Sequence, residues 1–248
     1  MGKRVLITMG LIALFLSPAI LAAESGDIIV RAGFTKAMPD NGESVIYAAD
    51  QTVHLGAGLP GLTATVEDES QLGLNIEYFL NKNFAIEVLA ATPFTHNLTV
   101  DTGAGRVNLG DTKHLPPVIS ALYHLDTASN FKPYIGVGIN YTIFFEDNFN
   151  NALEGNNSPV IDHLGSGADG SVGVAIDLAD LNLKSSWGLS AQIGADYYFN
   201  DHWLVNGSVR YADIDTTAQF TAVGGAVPGK VNVAVDPVVV SLMVGYKF

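Results

Sequence analysis

The chain has 248 residues, of which 48% are hydrophobic and only 15% are charged. Its formal net charge of −13 argues against nucleic-acid binding, which depends on Lys and Arg side chains neutralising phosphates. It contains no cysteine, which excludes disulfides, thiol chemistry and cysteine-based metal sites.

Residues 1–23 have the composition of a secretory signal peptide. A short basic start precedes an apolar run that ends in small residues, including Ala22 and Ala23. We therefore expect export, cleavage near residue 22 or 23, and a mature domain over residues 24–248. No later segment has the roughly 18 consecutive apolar residues of a membrane helix, so a mature chain that spans a bilayer would do so as a closed barrel.

The remaining chain alternates apolar and polar residues with a period of two, which predicts β-strands with one apolar and one polar face. In chain order, these runs lie at residues 28–35, 72–78, 84–89, 119–125, 135–143, 187–199, 203–211 and 238–248. Long connections lie near residues 36–70, 96–116, 146–185 and 216–236, and short turns join the other runs. The pattern predicts an all-β fold, an eight-stranded antiparallel transmembrane β-barrel with short periplasmic turns and long extracellular loops.

A soluble barrel of lipocalin type would show the same alternation with its polar face outward. Here the polar faces are rich in Gly and Ser and poor in Lys, and the chain ends on an aromatic strand at Phe248. These features favour a barrel whose apolar face meets outer-membrane lipid and lipopolysaccharide in a Gram-negative cell. The connection over residues 146–185 is predicted to form either a short amphipathic helix or an extension of a strand.

The polar faces carry a balanced set of charges. The positive residues are Arg31, Arg210 and Lys247, and the negative ones are Glu77, Glu87 and Asp196. Side chains just fill an eight-stranded barrel, and an unpaired buried charge is costly. We therefore expect these six residues to form a polar plug in the turn-side half of the lumen.

Toward the long connections the inward positions become apolar. The residues concerned are Leu89, Ala91, Leu122 and Phe144. This predicts a pocket for a small hydrophobic ligand above the plug, with local packing as the alternative.

The sequence contains no convincing catalytic or metal-binding motif. The six His stand at no zinc-motif spacing, and neither a Walker loop nor a dinucleotide fingerprint occurs. We expect no metal, no cofactor and no catalytic residue. A lipid-modifying enzyme that pairs Ser120 with His114 or His124 is the enzymatic alternative.

Specific runs are distributed over the whole mature chain. They read EVLAATPF at residues 87–94, HLPP at 114–117, PYIGVGINYT at 133–142, LKSSWG at 183–188, WLVN at 203–206, YADIDTTA at 211–218 and GYKF at 245–248. These runs resemble the OmpW family of outer-membrane proteins, which includes the AlkL-type alkane importers.

The resemblance implies a narrow hydrophobic channel that carries small hydrophobic compounds past the lipopolysaccharide leaflet. The ligand would enter at the loop end and leave sideways into the bilayer through a gap that prolines create by interrupting strand pairing. The candidates for this gap are Pro93, Pro116 and Pro117. Leu89 matches an inward Leu of the family's channel floor, whereas Arg210 stands where at least some members have an aromatic residue.

Two functions follow as hypotheses. The first is passive uptake of small hydrophobic molecules with lateral release into the bilayer. The alternative is a structural or receptor-type barrel whose long acidic loops bind partners without transport.

Overall fold

The computed structural model describes residues 23–40, 45–48, 51–53, 62–66, 68–102, 106–149, 179–222 and 227–248. Almost all of these residues lie in strands or the turns between them. The described part contains no helix long and apolar enough to cross a membrane. Residues 1–22, which make up nearly all of the predicted signal peptide, lie outside the described residues, and Ala23 is the first residue described.

The described strands are numbered in chain order. They are β1 (Ile28–Met38), β2 (Val45–Ala48), β3 (Gln51–Val53), β4 (Leu62–Val66), β5 (Glu69–Phe79), β6 (Phe84–Ala91), β7 (Phe94–Thr102), β8 (Arg106–Leu115), β9 (Val118–His124), β10 (Phe131–Phe149), β11 (Ala179–Leu183), β12 (Ser186–Tyr198), β13 (Trp203–Ala212), β14 (Asp215–Ala222), β15 (Val227–Ala234) and β16 (Val238–Lys247).

Eight of these strands close into an antiparallel barrel, which confirms the predicted fold. Their order is β1, β5, β6, β9, β10, β12, β13 and β16. The last strand pairs back with the first, from Ile29 opposite Lys247 to Met38 opposite Val238. Closure leaves no open sheet edge along the barrel wall, as a lipid environment requires.

The barrel has the polarity of a membrane protein, with large apolar side chains outside and charged ones inside. Phe34 and Trp187 on the outer face are each 70% exposed, whereas Arg31, Glu77 and Asp196 are completely buried. A soluble barrel would show the reverse, because water solvates charges and excludes apolar surface. The outer face therefore decides against the lipocalin-type alternative.

Short turns join the strands at one end of the barrel, and two of them use the same Asn motif. Asn81 Oδ1 accepts backbone hydrogen bonds from Asn83 and Phe84, each at 3.0 Å. Asn200 Oδ1 accepts them from His202 at 3.0 Å and Trp203 at 2.8 Å. Side-chain oxygens of Asn satisfy the backbone in this way in tight turns.

At the other end, the described parts of the long connections are mostly β-strands. β7 and β8 form a hairpin that also pairs with β10 and β4. A second sheet has the order β11, β14, β15, β2, β3. In the 146–185 connection, β10 runs on to Phe149 and β11 follows at Ala179, so its described parts are strand extensions. The middle of this connection lies outside the described residues.

Candidate functional site

The turn-side half of the lumen is occupied by a buried ion cluster centred on Arg31. Its guanidinium donates to both Asp196 oxygens, from Nε at 3.1 Å and Nη2 at 2.6 Å. Nη2 also donates to Glu77, and Nη1 donates to Asn75 Oδ1 at 3.1 Å. Because a buried guanidinium is stable only when its N–H groups are paired, this geometry holds the charge in place.

The acidic partners of Arg31 are satisfied from other strands. His124 Nε2 lies 2.5 Å from Glu77 Oε1. Asn206 Nδ2 donates to Asp196 Oδ1 at 2.7 Å and to the hydroxyl of Tyr134 at 3.0 Å. The cluster thus joins β1, β5, β9, β12 and β13 across the lumen, and Tyr134 adds a contact from β10.

A second ion cluster lies around Arg210. Its Nη2 donates to Glu87 and, at 2.5 Å, to Gln192 Oε1, while Gln192 Nε2 donates to Glu87 at 2.9 Å. Asn75 links the two clusters, since it accepts from Arg31 and donates to Glu87 Oε2 at 2.6 Å. We call these nine residues the polar network: Arg31, Asn75, Glu77, Glu87, His124, Gln192, Asp196, Asn206 and Arg210.

An apolar layer closes the lumen at the turn end. This turn-side cluster consists of Ile29, Phe79, Ala85, Leu122, Tyr134, Tyr198 and Leu204. Several of its members stand two residues from a member of the polar network on the same strand, as Ile29 does from Arg31. Because strand side chains alternate between faces, the apolar layer and the polar network are successive inward layers.

Two residues lie elsewhere than the sequence analysis expected. Leu122 belongs to the turn-side cluster, because β9 runs toward the turns and places it at that end. Lys247 stands outside the polar network, with its Nζ 3.4 Å from Asp27 Oδ2 near the turn-side rim. Of the six residues predicted for the plug, the other five are members of the polar network.

On the loop side of the polar network, the inward residues become apolar again. Leu89, Val118 and Met243 pack together in what we call the loop-side cluster. Ala91 is half-buried at the end of β6. Phe144 lies further out and packs against a rim cluster made of Ala212, Ile214 and Val235.

The three predicted prolines lie together where the wall changes partners. The ladder between β6 and β9 ends at Leu89 opposite Val118, and that between β7 and β8 starts at Phe94 opposite His114. Pro93 lies in the first intervening segment, and Pro116 and Pro117 lie in the second. Proline cannot donate to a ladder, so these segments stay unpaired with each other at this height.

A stack of aromatic rings stands beside this interruption, and sequence reasoning did not recognise it. The rings of His96 and His114 are 4.9 Å apart at 12°, with Phe94 5.4 Å and Phe144 5.6 Å from His114. Burial, together with the neighbouring His96, lowers the pKa of His114 to about 3. The sequence pattern that could have revealed it is the alternation that places residues 94, 96, 112 and 114 on the same, inward face of a hairpin.

The structure does not assemble the Ser–His pair of the enzymatic alternative. His124 is paired with Glu77, His114 lies in the aromatic stack, and Ser120 Oγ has no hydrogen-bond partner among the described residues.

The sequence did not reveal the roles of Asn75, Gln192 and Asn206, which complete the polar network. The alternation of the strands placed these three residues on the polar faces, but alternation alone does not show which residues they hydrogen-bond to.

Among the described residues, three carboxylates near the rim lie close enough together to contact one cation. Asp213, Asp215 and Asp236 have oxygens within 4.8 Å of one another. Asp236 Oδ1 already accepts the backbone N–H of Ile214 at 2.9 Å. Burial and the two neighbouring acids raise the pKa of Asp215.

Comparison with known proteins places these features in a family context. The OmpW family model matches residues 24–248. Outer membrane protein W of Vibrio cholerae is 36% identical over 249 residues, covering 99% of this chain and all of that protein. Outer membrane protein AlkL of Ectopseudomonas oleovorans is 25% identical over 211 residues, covering 83% of this chain and 79% of that protein.

Two further comparisons bear on the fold and on neighbouring chemistry. The crystal structure of OprG from Pseudomonas aeruginosa superposes with a TM-score of 0.72 at 34% identity, covering 91% of this chain and 97% of that one. A Pseudomonas aeruginosa protein named for a dibenzothiophene metabolism operon, PahQ, is 27% identical over 214 residues, covering 83% of this chain and 84% of that protein.

Proposed function

The chain belongs to the OmpW family of outer-membrane proteins, and from that premise we propose that it is a passive channel for small hydrophobic molecules. It lies in the outer membrane of a Gram-negative cell. In this proposal the cargo enters from the loop end, reaches the loop-side cluster, and leaves sideways into the bilayer.

One observation carries the proposal: apolar inward residues lie above a lumen that is closed by hydrogen-bonded charges. The loop-side cluster lies directly beyond the polar network, since Leu89 follows Glu87 by two residues on β6. A hydrophobic molecule gains free energy beside such a surface but would have to desolvate and break ion pairs to go further. Onward passage through the turn end is therefore unfavourable.

The interruption at the three prolines offers the lateral exit. It stands level with the end of the β6–β9 ladder, next to Leu89 and Val118. A wall segment that lacks ladder hydrogen bonds opens at lower cost than a paired one. Hydrophobic cargo leaving there would enter lipid without crossing water.

The chemistry named for one relative is consistent with this cargo class. PahQ carries in its name a dibenzothiophene metabolism operon, and dibenzothiophene is a small, apolar aromatic compound. We extend to this chain only the cargo class, small hydrophobic molecules. No metal, cofactor or catalytic residue enters the proposal.

Uptake measurements test the proposal directly. Cells lacking the gene would be complemented with the native chain or with a Pro93→Ala, Pro116→Ala, Pro117→Ala variant, and entry of labelled naphthalene would be followed. We expect the native chain to raise the entry rate and the triple variant to lose most of that gain, because alanine N–H groups can pair across the interruption. Pro133→Ala, at the turn-side start of β10, is the matched control.

Equal uptake with and without the native chain would overturn the channel. That result would favour the alternative, a structural or receptor-type barrel. The β7–β8 hairpin and the sheet of β11, β14, β15, β2 and β3, which lie at the loop end of the barrel, would then form the partner-binding surface.

A further inference from the structure

Polar atoms without protein partners lie at the boundary between the polar network and the loop-side cluster. Arg210 Nη1, Ser120 Oγ and Ser190 Oγ are buried and make no hydrogen bond within the described part of the chain. The three residues are 4%, 2% and 5% exposed. Such groups are costly unless something satisfies them, so each needs an explanation.

The two serines flank Gly138 in the barrel wall. Ser120 and Ser190 stand opposite Gly138 on its two neighbouring strands, β9 and β12. Their Oγ atoms lie 2.7 and 2.9 Å from the point that a Cβ on Gly138 would occupy. The same point lies 2.5 Å from the carbonyl oxygen of Ile119, so any side chain at this position would clash, and glycine is what lets the two hydroxyls approach each other over its backbone.

Arg210 is connected to the two serines through its hydrogen-bond partners. Its guanidinium donates to Glu87, which stands directly opposite Ser120 in the β6–β9 ladder. It also donates to Gln192, two residues from Ser190 on the inward face of β12. Directly opposed side chains in an antiparallel pair start about 5 Å apart, so the register places Glu87, Ser120 and Ser190 at the same height in the lumen, with the Arg210 guanidinium bound to Glu87 there.

The charge balance indicates what could satisfy them. Arg210 is already neutralised by Glu87, and the polar network holds the carboxylates of Glu77, Glu87 and Asp196 against two guanidiniums. An additional anion would therefore lie beside the carboxylate of Glu87, which already neutralises Arg210. A neutral oxygen can accept from the guanidinium and both hydroxyls at no such cost.

We propose that Arg210, Ser120 and Ser190 form a subsite for one neutral acceptor oxygen on an otherwise apolar molecule. A ketone, aldehyde or alcohol on a short alkyl chain has this chemistry. The oxygen would rest on the three donors, and the alkyl chain would contact Leu89 and Val118 of the loop-side cluster. This inference rests on the proposed channel and specifies its preferred cargo as oxygenated rather than purely hydrocarbon.

Binding of matched probes tests the subsite. The full mature chain in lipid nanodiscs would be titrated with 2-octanone, n-octane or octanoate while the amide signals of Leu89, Gly138 and Ser190 are followed by NMR. We expect the Ser120→Ala, Ser190→Ala variant to bind 2-octanone about tenfold more weakly, as loss of one or two neutral hydrogen bonds implies. Its affinity for n-octane should not change.

Ser241→Ala is the matched control, because Ser241 is also a buried inward serine but its Oγ already lies 2.9 Å from Thr35 Oγ1. It should leave 2-octanone binding unchanged. The double variant removes no protein hydrogen bond of the described structure, so we expect it to fold like the native chain.

The outcomes separate this inference from the channel itself. Unchanged 2-octanone binding in the double variant would overturn the subsite and leave the channel standing. Tightest binding by octanoate would overturn the preference for a neutral oxygen. Failure of both 2-octanone and n-octane to shift any lumen signal would overturn the proposed channel.

Discussion

The guanidinium of Arg31 donates two parallel hydrogen bonds to the carboxylate of Asp196, at 3.1 and 2.6 Å, across the barrel lumen. The two residues are 165 positions apart, on β1 and β12. These strands are not neighbours in the barrel, so the two side chains meet across the lumen rather than within one pair of hydrogen-bonded strands. The ion pair therefore depends on completed closure.

Removing the centre of this cluster should destabilise the barrel strongly. We expect Arg31→Met to lower the free energy of unfolding by about 3–5 kcal/mol, because Glu77 and Asp196 would be left as buried charges without their cation. Urea unfolding in lipid vesicles, followed by tryptophan fluorescence, measures the change. Lys82→Met is the control, since Lys82 pairs with Asp126 on the exposed turn surface and should have little effect. A similar stability for both variants would show that the cluster is not required.

The pair of Arg210 and Glu87 should behave as a coupled unit. Arg210→Met alone leaves Glu87 buried without its cation and should cost stability, whereas Arg210→Met combined with Glu87→Gln removes both charges. We expect the double variant to be more stable than the Arg210→Met variant, with a coupling of about 1–3 kcal/mol. A double-mutant cycle in the same urea assay measures this coupling, and strictly additive effects would contradict it.

The lipid-facing surface should tolerate charge only near its edges. Ile193 and Phe199 are similarly exposed on the outer face, at 62% and 63%, but Ile193 lies within β12 and Phe199 at the turn that follows it. We expect Ile193→Arg to cost about 2–4 kcal/mol and Phe199→Arg about 0–1, because the cost of Arg depends on depth in the bilayer. Equal costs measured by urea unfolding would argue against this placement of the membrane.

The hairpin of β7 and β8 should lose stability in acid. The pKa of His114 in this hairpin is lowered to about 3 by burial and by His96, so folding favours the neutral ring. The contribution is complete above the unfolded value near 6.5, and it is lost as the pH falls from there toward 3. Amide hydrogen exchange in the hairpin, corrected for intrinsic rates, should show weaker protection at about pH 4.5 than at pH 7.

His114→Phe provides the comparison for this pH effect. Phenylalanine keeps a ring in the stack with Phe94 and Phe144 but cannot be protonated. The part of the pH dependence that comes from His114 should disappear in this variant. An unaltered pH profile would assign the acid sensitivity to other groups.

Much of the barrel could be predicted from residue alternation alone. The period of two in runs such as residues 187–199 identified the strands and both of their faces, and the charged residues on the polar faces indicated a plug. Five of its six predicted members are in the polar network. The long connections were less predictable, because part of their strand pairing is non-local: β14 pairs with the next strand, β15, but also with β11, which precedes two barrel strands in the chain.

Individual positions within the lumen were harder to predict, as Leu122 and Lys247 show. The expectation for Leu122 was the loop-side pocket, but it packs with Ile29 and Phe79 at the turn end. The expectation for Lys247 was the plug, but its ammonium lies beside Asp27. In both cases the alternation of the strand correctly predicted an inward side chain. The position along the barrel axis and the contacting residue depended on the register between strands.

By itself, the sequence determined that this chain forms an eight-stranded outer-membrane barrel with lipid outside and charges inside, because strand geometry sends alternate side chains to opposite faces. The tertiary structure decided which inward groups meet. Register and closure bring Arg31 to Asp196 and Arg210 to Glu87, and they place Ser120 and Ser190 on either side of Gly138. The two ion pairs join strands that are far apart in the chain, so they depend on the assembled barrel rather than on local residue pattern.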